Sequence, residues 1–101
     1  MIGTNISTQN SNTPSIASAA TALTANPARI AFSIQNLGTN PLFVLLGTGA
    51  STTVFHVVLK AGSGNDDGIG GSYSMESGAI YNGIVTIAGT SPRYTVTELA
   101  P

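Results

Sequence analysis

From Asn26-Pro27 onward, apolar residues recur at every second position, and a chain with that period buries its apolar side chains only as strands. Ile30, Phe32 and Ile34 alternate with Arg29, Ala31, Ser33 and Gln35, which predicts a half-buried strand. The turn formers of Asn36-Leu37-Gly38-Thr39-Asn40-Pro41 lead directly into Leu42-Phe43-Val44-Leu45-Leu46, a run that reads as a central strand covered on both faces. These two strands are expected to form a hairpin. After the turn Gly47-Thr48-Gly49-Ala50-Ser51, residues 53–60 predict a third strand with Phe55, Val57 and Leu59 on one face. Further strands are expected over 72–75, 79–81, 84–88 and 93–99, with Asn82-Gly83 as the turn of a type I′ hairpin. The pattern predicts an all-β fold, a small antiparallel β-sandwich or barrel of six to seven strands.

Upstream the composition changes. Residues 1–14 are mostly Ser, Thr, Asn and Gln, too polar to bury a core of their own. Residues 15–25 are small and weakly apolar; Ala favours a short helix, Ser and Thr an extended segment, and the extended form is preferred. The expected division is an extended N-terminal arm over 1–25 and a β-sandwich domain over 26–101. Widely spaced Ile2, Ile6, Ile16 and Leu23 are the apolar anchors by which such an arm would hold a partner, its backbone adding hydrogen bonds to a sheet edge.

Charge is scarce. Three Lys and Arg and four Asp and Glu make 7% of the 101 residues, against about 25% in an ordinary soluble domain. A chain so poor in ionic groups is expected to lie against other protein, including copies of itself as a dimer or trimer. Nucleic acid is excluded as a partner because phosphate binding needs clustered Lys and Arg. The sequence has no cysteine, hence neither a disulfide framework nor a thiolate metal site. No stretch approaches the roughly 20 apolar residues of a membrane span, so no membrane association is expected.

Few residues suit chemistry. His56, the single histidine, has no Ser-His-Asp or metal-ligand spacing around it and reads as a surface or interface residue. Residues 61–71 contain five glycines together with Asn65, Asp66 and Asp67 and predict a long flexible loop. Its acids fit turn formation better than a calcium site, which would need further ligands. The loop also lacks the Gly-Lys-Ser/Thr of a phosphate-binding loop. Glu76 and Glu98 read as solvated surface residues, and Tyr73, Tyr81 and Tyr94 as core or interface residues rather than a sugar-stacking platform. No catalytic residue, cofactor or metal is expected, and the chain does not read as an enzyme.

Asn26-Pro27-Ala28-Arg29, Ile34-Gln35-Asn36-Leu37-Gly38 and Pro41-Leu42-Phe43-Val44 resemble a group of small β-rich virion proteins of tailed bacteriophages. So do Phe55-His56-Val57-Val58-Leu59-Lys60, Asp66-Asp67-Gly68, Tyr81-Asn82-Gly83 and Arg93-Tyr94-Thr95-Val96-Thr97-Glu98-Leu99, and the resemblance spans about residues 26–99. It implies a structural virion protein, made in the host cytoplasm and carried on the capsid exterior. There a cement or decoration protein would bind the major capsid protein and bridge neighbouring subunits. The alternative expectation is a receptor- or carbohydrate-binding module of a head or tail fibre, using Tyr73, Tyr81 and the 61–71 loop.

Overall fold

A computed structural model describes the backbone of residues 5–11, 19–76 and 80–100, and the side chains of the last two ranges. Eight strands lie among them: β1 (Asn5–Ser11), β2 (Ala19–Leu23), β3 (Ala31–Asn36), β4 (Leu42–Leu46), β5 (Val57–Leu59), β6 (Ser72–Met75), β7 (Val85–Gly89) and β8 (Tyr94–Ala100). They form two four-stranded antiparallel sheets, a front sheet in the order β1-β8-β3-β6 and a back sheet in the order β2-β7-β4-β5. The all-β expectation holds, with one strand more than the six to seven anticipated. No helix long and apolar enough to cross a membrane occurs among the described residues.

Both expected hairpins are absent. β3 belongs to the front sheet and β4 to the back, so the turn after Asn36 carries the chain across the core. Residues 80–84 likewise cross from β6 to β7 and form no strand. Of all consecutive strands, only β4 and β5 pair with each other. This order of two interlocked Greek keys is the jelly-roll arrangement. Gly, Asn and Pro mark where a chain reverses, but whether the next strand joins the same sheet depends on which face the apolar residues must cover.

Between the sheets lie Leu23, Phe32, Ile34, Leu42, Val44, Leu59, Val85, Ile87 and Val96, all buried. Burying each large aliphatic side chain is worth about 1.5–3 kcal/mol. Tyr94 joins them, and its burial pushes the hydroxyl pKa above the ordinary value.

Within the expected arm over 1–25, the described residues up to Leu23 are strands. Asn5–Ser11 and Ala19–Leu23 are the edge strands β1 and β2 of the two sheets. Leu23, expected to hold a partner, is 1% exposed and sits in the protein's own core. The β2–β7 register shifts between Thr21 and Leu23, and Ala22 and Leu23 are both buried. Small residues suffice there because an edge strand next to a core of large side chains needs little volume of its own. Ile2 and Ile16 lie outside the described residues; Ile6 falls within β1, where its backbone pairs with Leu99.

Leu23→Ala distinguishes a core residue from an arm residue. It is expected to cost about 2–5 kcal/mol, read as a lower urea midpoint with an unchanged slope, whereas an arm residue would leave the midpoint unmoved.

Candidate functional site

Alternation in the back sheet sets Leu42, Val44, Val85 and Ile87 toward the core and Phe43, Leu45 and Ala88 on the opposite face, where they cluster with Ala50. Register then aligns Ala19, Ala88, Phe43 and Val58 in one row across all four strands. Beside that row the Phe55 ring meets Phe43, centroids 5.0 Å apart and planes tilted by 58°. Val54, Phe55 and Val58 remain 52%, 39% and 46% exposed.

The connection between β4 and β5 positions this cluster. The Ser51 hydroxyl accepts the N–H groups of Thr53 (3.2 Å) and Val54 (2.9 Å), closing a turn that Ser51 N–H completes by donating to the Val54 carbonyl at 3.0 Å. His56 donates its N–H to the Val44 carbonyl at 2.8 Å, and its Nδ1 accepts the Leu46 N–H at 3.1 Å. The Thr86 hydroxyl donates to the Gly47 carbonyl at 2.7 Å and accepts from Ala50 N–H at 3.2 Å, tying the connection down over β7. A shallow hollow of about 290 Å³ remains between Ala19, Ala50, Ser51, Thr52 and Ala88.

These contacts change the reading of residues 53–60. Only Val57–Leu59 is strand, and Phe55 does not share a face with Leu59: it packs outward on Phe43 while Leu59 is buried in the core. His56 is exposed, as expected of a surface residue, and it helps shape the β4–β5 connection.

The 61–71 segment is tied to its neighbours rather than loose. Gly62 N–H donates to the Gly38 carbonyl (2.9 Å), Asp66 N–H to Leu37 (2.8 Å), Gly71 N–H to Lys60 (2.9 Å), and Asn36 N–H to Gly71 (2.9 Å). Asp67 accepts Ser63 and Gly64 N–H at Oδ2 (both 2.8 Å) and Ile69 N–H at Oδ1 (2.9 Å), the turn chemistry its sequence predicts. Asp66, at φ 58°, pairs both carboxylate oxygens with Arg93, one at 2.9 Å. At Gly70 a Cβ would overlap the Asn36 carbonyl oxygen, so only glycine allows this close approach. No cluster of three or more metal-ligating side chains exists among the described residues.

Sequence reasoning missed one partnership. Glu98 is buried, not a solvated surface acid, and its Oε1 accepts Arg29 Nε–H at 2.7 Å. Arg29, 1% exposed, also donates from Nη1 to the carbonyls of Tyr81 (2.8 Å) and Gly83 (3.0 Å) and from Nη2 to that of Thr24 (2.7 Å). Its guanidinium carbon stands 5.5 Å from the Phe32 ring centroid. The available signal was the place of Glu98 in the alternation of β8: Tyr94, Val96 and Glu98 are all buried. Four of the seven charged residues are thus consumed in two internal ion pairs. The tyrosines follow the core reading: Tyr94 is buried, Tyr73 and Tyr81 pack against the core, and the Tyr73 ring lies 6.2 Å from that of Phe32.

Two outcomes test this electrostatic layout. Arg29→Leu is expected to lower stability by about 3–5 kcal/mol, because it leaves Glu98 buried and unpaired; the urea midpoint measures it. The second concerns pH. Hydrogen bonding to Arg93 holds the Asp66 carboxyl below its ordinary pKa of 3.8, and the Ile69 and Gly64 N–H groups do the same for Asp67. Lowered folded values mean that their contribution is complete above 3.8 and fades as pH falls below it through the folded values. Amide exchange at Ser63, Gly64 and Ile69 should therefore quicken, relative to core amides, only below that pH, and Asp67→Ala should abolish the acid step. Comparisons with protein-family models, with curated proteins and with solved structures find no match to this chain.

Proposed function

We propose that this protein is a capsid cement or decoration protein of a tailed bacteriophage, bound to the outer surface of the head and bridging neighbouring copies of the major capsid protein. The observation that carries the reading is the cluster in which exposed Val54, Phe55 and Val58 gather around half-buried Phe43 on the outer face of the back sheet. It adjoins a charge-free cross-strand row and belongs to a chain with seven charged residues, four of them paired internally. Such a surface associates by apolar burial and backbone-scale hydrogen bonding rather than ionic steering. Repetition over a shell lets many modest contacts act together through effective concentration. In this role the protein works mechanically, resisting separation of capsid subunits under internal DNA pressure.

The jelly-roll order agrees with this use, since the architecture recurs in viral capsid proteins; it also recurs in lectins, so the fold alone does not decide between the two. The glycan-binding alternative would rest on Tyr73 and Tyr81, which are partly buried against the core, and packing of that kind favours the cement reading over a stacking platform.

The test is retention on purified heads of the source phage in co-sedimentation. Phe55→Ser and Val58→Ser should each weaken retention about tenfold or more, the equivalent of the roughly 1.5–3 kcal/mol lost when one large apolar side chain no longer buries. Far-UV circular dichroism and the melting temperature should change little, because both residues are exposed. Unchanged retention when Phe55→Ser and Val58→Ser are combined, or glycan binding by the isolated protein, would count against the cement reading.

A further inference from the structure

We propose that β1 is an exchangeable strand, and that the edge of β8 accepts the β1 of a second copy of this chain in place of its own. This inference is independent of the apolar docking face and of what that face binds.

Three features lead to it. First, β1 is an edge strand that packs along β8 and makes no comparable contact with any other strand. All seven of its residues are in antiparallel register, from Asn5 opposite Ala100 to Ser11 opposite Tyr94. Its sequence, Asn-Ile-Ser-Thr-Gln-Asn-Ser, has no charge and one large aliphatic residue, so the ladder of backbone hydrogen bonds dominates what holds it. That ladder is the same whichever copy supplies the strand, and closed and exchanged forms therefore have similar energies. Second, a departed β1 leaves along β8 a long row of bare backbone N–H and C=O groups, the template that extended segments join.

Third, the chain just downstream is firmly fixed. Leu23 is in the core and the Thr24 carbonyl is held by Arg29, so β1 can leave while β2 stays in place. Seven residues, 12–18, separate the two strands. Such a length reaches up to about 25 Å when extended, whereas packed sheets lie only about 10 Å apart. Seven residues therefore give the connection more reach than the spacing of two packed sheets requires.

The chain has no cysteine, which permits a direct test with full-length protein. Thr8 and Thr97 face each other in the β1–β8 register, and directly opposed residues in antiparallel strands stand at Cα separations that a disulfide spans. One population carries Thr8→Cys and another Thr97→Cys; the two are mixed with oxidised glutathione, which takes up the two electrons and two protons released when two thiols become a disulfide. A double variant, Thr8→Cys with Thr97→Cys, reports the closed form. Lys60→Cys, outside the β1–β8 register, replaces Thr97→Cys as the collision control.

The expected result on a non-reducing gel is a disulfide-linked heterodimer of the Thr8→Cys and Thr97→Cys chains, severalfold more abundant than the Lys60→Cys control product and increasing with protein concentration. In the double variant, rapid closure within one chain should accompany it. Heterodimer no more abundant than the control, while the double variant closes, would show that β1 stays on its own molecule and would overturn the proposal. Failure of the double variant to close would overturn it too, by removing the register on which it rests. The assay contains no capsid, so neither result bears on shell retention.

Discussion

Four hydrogen bonds from the Arg29 side chain draw together the end of β2, the crossover between β6 and β7, and the last strand of the front sheet. A guanidinium buried without partners would be prohibitively costly, whereas one that meets a carboxylate, three carbonyls and an aromatic face satisfies most of its fork of donors. Its requirements are strict in direction, so the carbonyls of Thr24, Tyr81 and Gly83 must all turn inward at one point. Nearby, Asn82 donates from Nδ2 to the Pro27 carbonyl, and Asn26 N–H donates to the Asn82 carbonyl. One end of the sandwich is thereby closed by polar contacts between segments more than fifty residues apart.

The opposite end follows the same logic with a neutral side chain. Asn36, 2% exposed, donates from Nδ2 to the carbonyls of Asn40, Leu59 and Lys60 and accepts Gly38 N–H at Oδ1. Onto this base the 61–71 segment is fastened by the Gly62 and Asp66 N–H groups, which donate to the Gly38 and Leu37 carbonyls, and by the Asp66–Arg93 pair. Crossover connections leave many backbone groups without ladder partners, and buried ones must be satisfied by side chains. In this chain a few long polar side chains fill that role, which accounts for buried Arg and Asn in a protein otherwise held by aliphatic packing.

With both ends closed from within, three of the four exposed large apolar side chains, Val54, Phe55 and Val58, gather beside Phe43 at the back sheet, and the fourth, Ile69, lies in the 61–71 segment. The proposals separate along this division: the back-sheet face concerns docking to another protein, and the β1–β8 edge concerns exchange between copies. Both use interactions that need no net charge, in keeping with a chain whose ions are mostly spent internally.

Strand identity was legible in the sequence where alternation was strong. Ala31–Asn36, Ser72–Met75, Val85–Gly89 and Tyr94–Ala100, together with the apolar run Leu42–Leu46, lie close to where the sequence predicts strands, because a strand's faces are set by local geometry alone. The turn role of Asp67, the exposure of His56 and the packing of the tyrosines were legible for the same local reason. Sheet membership was not. The turns after Asn36 and around Asn82-Gly83 look like hairpin turns, yet both carry the chain between sheets, since joining the other sheet is decided by how two apolar faces cover one core. Leu23 reads as an isolated apolar residue in a polar stretch, and only the bulged pairing of β2 with β7 turns it inward. Arg29 and Glu98 stand 69 positions apart, and no local pattern joins them; their pairing exists because the fold brings two distant positions into one low-dielectric space where neither charge is tolerable alone.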